Sequence, residues 1–404
     1  QLGEVVQDRG THHTTADDDH LRGRFHRGIP ASKFSRYSRS DYRTLLTIRP
    51  ADYKTWRCRA MGKLLDRLAA GPVICAEGYV FEFERRGYLQ AGAFVPEVVL
   101  EEPDMVAGLH REFVHAGSDV VEAFTYYAHR EKLAVIGREG DLEPLNRQAL
   151  RIAKEVGAEH DSLVAGNICN TNVYDPDDPT THEAVRDMFA EQVGWAAEAG
   201  VDFVIAETID YPGEALLALE AIKAHGLDAV VTLTIHRQPV VRGGVPIGEA
   251  CRRLQDAGAD VDGLNCIRGP ATMLPLLGDI RAACDGYIAA LPVPYRTTEA
   301  EPTFQSLTDP NCDLIPGGRP FPTALDPFLA NRYEMGAFTT AAAALGVNYF
   351  GICCGCAPHH VRAMAEALGR TPPASRFSAD MSRHAYYGTS ERISRHYQEF
   401  AKEL

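Results

Sequence analysis

Eight short apolar runs alternate with helical patterns across most of this chain, and few folds accept that order. The runs span residues 73–78, 120–128, 162–168, 203–209, 229–235, 261–266, 287–293 and 349–355. Each is close to continuously apolar, as parallel strands buried on both faces are. Helical patterns fill the gaps at 97–116, 145–156, 183–199, 213–224, 247–257, 273–283 and 333–345, and 359–368 follows the last run. Several end in glycine, as helix C-caps do: Ala199-Gly200, His225-Gly226 and Ala257-Gly258. Eight strand–helix units predict the α/β class and one (β/α)8 TIM barrel. The 404 residues, 45% of them hydrophobic, suffice for such a core.

Residues 1–60 read differently. They lack hydrophobic periodicity and carry 12 Lys and Arg against 7 Asp and Glu. Met61 then opens an ordinary start, Met61-Gly62-Lys63-Leu64-Leu65. The pattern predicts a disordered or non-native extension over 1–60, a barrel over 61–375 and a short tail over 376–404. Residues 296–330, rich in Pro, Thr and Asp, are predicted as a long loop after the seventh strand, in the place of a substrate cover. The net charge of −14 argues against nucleic acid or an anionic membrane as partner. No apolar run approaches the roughly 18 residues that span a bilayer. Ten cysteines without an export signal point to a reducing cytoplasm rather than a disulfide scaffold.

The cysteines carry the chemistry. Gly351-Ile352-Cys353-Cys354-Gly355-Cys356 ends the eighth run and Asn265-Cys266 ends the sixth. In a barrel both ends border the same mouth. Two adjacent thiolates can address one ion where the strand breaks its alternation, and Gly355 supplies that freedom. A third sulfur from Cys266 makes three ligands and leaves one tetrahedral zinc position open, the mark of a catalytic site. A thiol substrate suits that position. A free cysteine is more often a buried apolar residue, and Cys58, Cys75, Cys169, Cys251, Cys284 and Cys312 are read so. Cys356 is read as a bystander. His359-His360 open a predicted helix, where surface or capping roles outweigh ligation.

Further residues give a resemblance. Gly263-Leu264-Asn265-Cys266, the glycine-flanked cysteine pair and Pro358-His359-His360-Val361-Arg362 are accompanied by Val80-Phe81-Glu82-Phe83-Glu84-Arg85-Arg86-Gly87-Tyr88, Leu109-His110-Arg111-Glu112-Phe113, Phe124-Thr125-Tyr126-Tyr127-Ala128 and Ile205-Ala206-Glu207. Over about 62–375 the chain resembles the betaine–homocysteine branch of the zinc-dependent homocysteine S-methyltransferases. The resemblance implies a zinc barrel that methylates homocysteine to methionine, with Cys266, Cys353 and Cys354 as ligands. The family's Asp-Gly-Gly after the first strand is Ala76-Glu77-Gly78 here, so Glu77 stands in for the missing carboxylate. A family Trp is replaced by Phe94, a Tyr by Thr208, and most of the oligomerising C-terminal arm is missing; homo-oligomer formation is left open.

An activated methyl donor without a large cofactor is an onium ion. Its diffuse charge calls for aromatic faces, and Phe94, Tyr126 and Tyr127 are the candidates. Glu207, at a strand end, suits the homocysteine ammonium, and Asn265 the amino-acid portion. Betaine is the expected donor. The changes at Phe94 and Thr208 keep a sulfonium donor, S-methylmethionine or dimethylsulfoniopropionate, as the alternative. A zinc- or thiol-based redox sensor is the alternative of another class.

Overall fold

The computed structural model describes residues 62–392 and 394–403. The expectations for residues 1–60 lie outside them. Eight parallel strands close into a barrel in chain order: β1 Val73–Ala76, β2 Val120–Glu122, β3 Leu163–Cys169, β4 Phe203–Ile209, β5 Asp228–Leu233, β6 Val261–Asn265, β7 Tyr287–Leu291 and β8 Tyr349–Ile352. The seam is a regular parallel ladder, Val73 to Ala76 of β1 facing Tyr349 to Ile352 of β8. The helices Pro103–Ala116, Leu142–His160, Pro179–Ala199, Pro212–Ala224, Ile247–Asp256, Pro270–Ala283, Arg332–Ala344 and Pro358–Ala367 surround it. Five of the eight begin with proline, whose missing N–H costs nothing in the first helical turn. No helix among the described residues is long and apolar enough to cross a membrane.

Period-two alternation sorts the strand residues. One set forms an apolar plug inside the barrel: Val73, Cys75, Val120, Leu163, Ala165, Phe203, Ile205, Val230, Val261, Ala289, Leu291 and Tyr349. Leu64 and Leu68 of the helix Lys63–Ala70 pack against it. The other set faces the helices and builds the larger outer core with Ile74, Val121, Val204, Val231, Leu264 and Phe350. Continuing the inward parity toward the C-terminal ends changes its chemistry. Leu163 and Ala165 lead to Asn167, Phe203 and Ile205 to Glu207, Val261 and Gly263 to Asn265, and Tyr349 and Gly351 to Cys353. The lower interior is therefore a dry plug and the upper layer a polar floor.

Two sequence expectations change at element ends. The run 120–128 looks like one long strand, but β2 stops at Glu122. The Thr125 backbone N–H turns back onto Ala123 O at 2.7 Å, and the Thr125 hydroxyl donates to Asn167 O at 2.7 Å. The aromatic half of the run is thus a mouth loop, with Tyr127 at a φ of 60°. The helix expected over 97–116 breaks into Val98–Glu101 and Pro103–Ala116. Pro103 cannot continue a helix, and Glu102 leaves the helical region with a φ of −136°.

The plug leaves no room at Gly351, where a Cβ would overlap Cys75 O and the Leu291 side chain. Overpacking of this kind costs about 1–3 kcal/mol. Gly351→Ala should therefore lower the urea unfolding midpoint. Gly108→Ala, in a helix where a new Cβ meets nothing, should raise it by the equivalent of about 0.5–1 kcal/mol.

Candidate active site

Strands β6 and β8 deliver three sulfurs to the barrel mouth. Cys266 leaves β6 with its N–H bonded to Leu291 O at 2.8 Å. It and Ile267 adopt positive φ, 57° and 61°. Two consecutive side chains in this region, one of them β-branched, are costly and persist only where the surroundings enforce them. The turn directs Cys266 Sγ to 3.6 Å from Cys354 Sγ. Cys353 and Cys354 occupy the turn after β8, where Cys356 N–H bonds to Cys353 O at 3.0 Å and Gly355 takes a φ of 94°. That turn interrupts the strand alternation, so Cys353 Sγ lies 3.9 Å from Cys354 Sγ. All three sulfurs fall within 4.8 Å of one another.

These spacings fit one metal ion. Sulfurs about 2.3 Å from a tetrahedral zinc are roughly 3.8 Å apart. Shared protons tie the group together: the Cys353 and Cys354 thiols hydrogen-bond to Cys266 and hold its pKa well below the ordinary thiol value, while their own are pushed up. Ionising all three sulfurs at this spacing would need a cation among them. Cys356 stays outside the trio, fully buried against Gly78. His360 is spoken for as well: its Nδ1 accepts the Ala357 N–H at 3.2 Å, and its Nε2 contacts Ala330 O at 3.0 Å.

A carboxylate layer adjoins the sulfurs. Glu207 is 3% exposed on β4. Its Oε1 accepts from Asn167 Nδ2 at 2.7 Å and its Oε2 from Asn265 Nδ2 at 2.8 Å. Burial raises its pKa to about 7 against the lowering effect of Asn167. Asn167 Nδ2 also donates to Glu122 on β2. Burial first, then the charge of Glu207, raises Glu77 and Glu122 well above the usual carboxyl range. Glu77 and Glu207 fall within 4.8 Å of Cys353 Sγ. Both Glu77 oxygens and Asn167 Oδ1 are buried without a hydrogen-bond donor among the described residues. Buried acceptors left in this state are expensive.

Asn265 ties the sulfurs to the carboxylates. Its Oδ1 accepts the Thr208 N–H at 2.8 Å, and its Nδ2 also reaches Thr208 Oγ1 at 2.8 Å and Cys353 Sγ at 3.8 Å. Thr208 itself sits at a φ of 59°, where the β4–β5 register shifts between Ala206 and Ile209. Such a bulge re-aims a strand end. With every polar group of its amide engaged, Asn265 is a bracket for Glu207 and the sulfurs.

The three candidate aromatics separate into two groups. Tyr126 and Tyr127 form a tilted pair with ring centroids 4.2 Å apart. Burial chiefly raises the Tyr126 hydroxyl pKa, with Tyr127 and Cys169 the next causes. Phe94, at a φ of 58°, stacks instead on Phe81 at 5.7 Å. Phe304 and Phe321 from the long loop after β7 join Phe81 at 6.0 and 6.3 Å. The loop is pinned next to the cysteine turn by the Phe304 N–H to Ile267 O bond of 2.9 Å. Sequence reasoning missed Glu122, Asn167, Phe81 and Phe304. A lone carboxylate in an apolar run marked Glu122, and inward parity with Ala165 marked Asn167.

The sequence profile of the family described as homocysteine S-methyltransferase matches residues 61–368. The chain is 36% identical over 332 residues to betaine–homocysteine S-methyltransferase 1 of Mus musculus, covering 78% of each. It is 37% identical over 308 residues to the Danio rerio protein of the same name, covering 76% of this chain and 75% of that one. To an S-methylmethionine–homocysteine S-methyltransferase of Rattus norvegicus it is 35% identical over 321 residues, covering 77% and 84%. Among solved structures, the metallated homocysteine methyltransferase MmuM of Escherichia coli aligns with a TM-score of 0.58 at 18% identity, covering 75% of this chain and 98% of that one, a likeness of fold. The sulfur-lined barrel and these relatives agree, and the chain belongs to the homocysteine S-methyltransferase family.

Proposed function

We propose that the protein transfers a methyl group from a small onium donor to the thiol of homocysteine, giving methionine, with Zn2+ held by Cys266, Cys353 and Cys354. The reading assigns residues 61–375 to the homocysteine-binding barrel and 376–404 to a short tail, and a cytoplasmic location. The observation that carries it is the sulfur triangle, whose 3.6 and 3.9 Å edges match one tetrahedral ion. When bound, zinc would lower the pKa of an incoming thiol and keep its sulfur a nucleophile.

The chain's own residues do the positioning. The homocysteine ammonium suits Glu207, Glu77 and Asn167 Oδ1, because these groups have no cationic partner among the described residues. An ammonium there supplies donors to atoms that otherwise lack them and offsets the carboxylate charge. Asn265 keeps Glu207 in register with Cys353. The Tyr126 ring, in the mouth loop after β2, offers an aromatic face for the onium methyl group. Phe81, Phe94, Phe304 and Phe321 shield that side of the mouth from water. Holding donor and acceptor at near-attack distance in a dry site supplies most of the acceleration.

Betaine is the first donor. A sulfonium donor is the second reading, favoured by Thr208, whose small side chain is turned toward Asn265 and Glu207 at a position where the betaine branch carries a ring.

Cys266→Ala and Cys353→Ala should each lose stoichiometric zinc by elemental analysis and lower methionine formation more than about a hundredfold. Full activity in either would rule out the metal role. Glu207→Gln should retain zinc and raise the KM for homocysteine at least about tenfold. An unchanged KM with a reduced kcat would place Glu207 elsewhere in the reaction.

A further inference from the structure

The sulfurs meet over a strand that supplies none of them. β7 lies between β6 and β8 in the barrel, so its end sets the distance between the Cys266 turn and the Cys353–Cys354 turn. It bonds to the two in alternation. Leu291 O accepts the Cys266 N–H at 2.8 Å, Pro292 O accepts the Cys353 N–H at 3.0 Å, and the Val293 N–H donates to Arg268 O at 3.0 Å. Pro292 and Pro294, each with a ring-locked φ, stiffen this spacer on either side of Val293.

Tyr295 completes the spacer. It is fully buried, and it touches the chain next to each group of sulfurs. Its carbonyl oxygen approaches Gly269, three residues after Cys266, so closely that a Cβ there would overlap it. Its side chain reaches Gly355, the residue after Cys354. A Cβ on Gly355 would overlap the Tyr295 hydroxyl oxygen and stand 2.8 Å from its Cζ. The ring stacks on Phe304 at 5.9 Å, and the Phe304 N–H bonds to Ile267 O in the Cys266 turn. The hydroxyl accepts from Arg85 Nη2 at 3.1 Å. Arg85 ends the helix Tyr79–Arg85 after β1, and its Nε lies 3.5 Å from Asp326 Oδ1 in the long loop after β7.

A phenol in this place acts on the metal centre through the backbone. Gly355 has a φ of 94° and no side chain to limit the turn; the hydroxyl resting on it supplies the limit. A metal–thiolate distance has a tolerance of only about 0.2 Å, so a small slip of the turn would spoil the 3.6 Å edge from Cys354 to Cys266.

We propose that Tyr295 is a positioning residue of the metal centre: held by Arg85, its phenol fixes the Cys353–Cys354 turn against the Cys266 turn and so sets the spacing of the sulfurs. The proposal rests on the three-sulfur metal reading above and adds to it. Residues of the segments after β1 and β7 thereby control how tightly the sulfurs of β6 and β8 hold an ion.

The test compares wild type, Tyr295→Phe, Arg85→Met and the double variant, each as the full chain. Phenylalanine keeps the stacking on Phe304 and removes only the hydroxyl. Zinc Kd is measured by competition with a chromophoric chelator, and the sulfur-to-metal charge-transfer band is recorded with Co2+ in place of zinc. Each single variant should raise the zinc Kd about tenfold and alter the Co2+ band. The double variant should lose little more than either single, because both remove one contact. Leu109→Ala, a fully buried change in the helix Pro103–Ala116, should lower the thermal midpoint and leave Kd and the band as in wild type, which separates positioning from general stability. Wild-type Kd and band in Tyr295→Phe overturn the proposal alone. So does a wild-type Kd in Arg85→Met, whose partly exposed site keeps the test open should Tyr295→Phe fail to fold, and so do strictly additive losses in the double variant. A wild type that binds neither zinc nor Co2+ overturns the metal reading and this proposal with it.

Discussion

Barrel closure puts Cys266 and the Cys353–Cys354 pair within reach of one ion although 87 positions separate them in the chain. Neither strand could do this alone. β6 ends in a turn with two strained residues, and β8 in a turn that only a glycine at 355 allows. The strain is affordable because the apolar plug beneath is close-packed, with Gly263 and Gly351 leaving no room even for a Cβ. A rigid floor makes precise strand ends.

Electrostatics follow from the same placement. The sulfurs and three carboxyl groups share a buried layer, and no Lys or Arg of the described residues salt-bridges to Glu77, Glu122 or Glu207. Burial answers by holding protons on the carboxyls, with Glu207 near neutrality at about 7. Such a layer favours ligands that bring positive charge: a divalent metal at the sulfurs and an ammonium beside Glu207.

Much of the fold was legible because parallel strands buried on both faces leave continuous apolar runs, and the barrel helices keep glycine C-caps and proline starts. The cysteines were legible because adjacent thiols beside glycine at a strand end have few other uses. Glu207 was singled out by its place at a strand end, Asn265 by its place beside Cys266, and Glu77 only through the family resemblance. Their division of labour was hidden, since it depends on cross-strand bonds such as Asn265 to Thr208 and Asn167 to Glu207. The aromatic run Phe124 to Tyr127 was misjudged as strand because β propensity and mouth-loop aromatics look alike. Its turn is set by Thr125 reaching Asn167 O, a contact 42 residues away. The Phe94 ring likewise joined Phe81 rather than the tyrosines, a choice made by loops whose packing leaves no periodic signal.

The central claim is a zinc ion bound by three cysteine sulfurs with a position left for a fourth. X-ray absorption at the zinc edge of the purified protein tests it most directly. The account predicts about one zinc per chain with three sulfur neighbours near 2.3 Å, rising to four when homocysteine is added. A zinc-free protein, or a first shell dominated by oxygen and nitrogen that homocysteine does not alter, would contradict it.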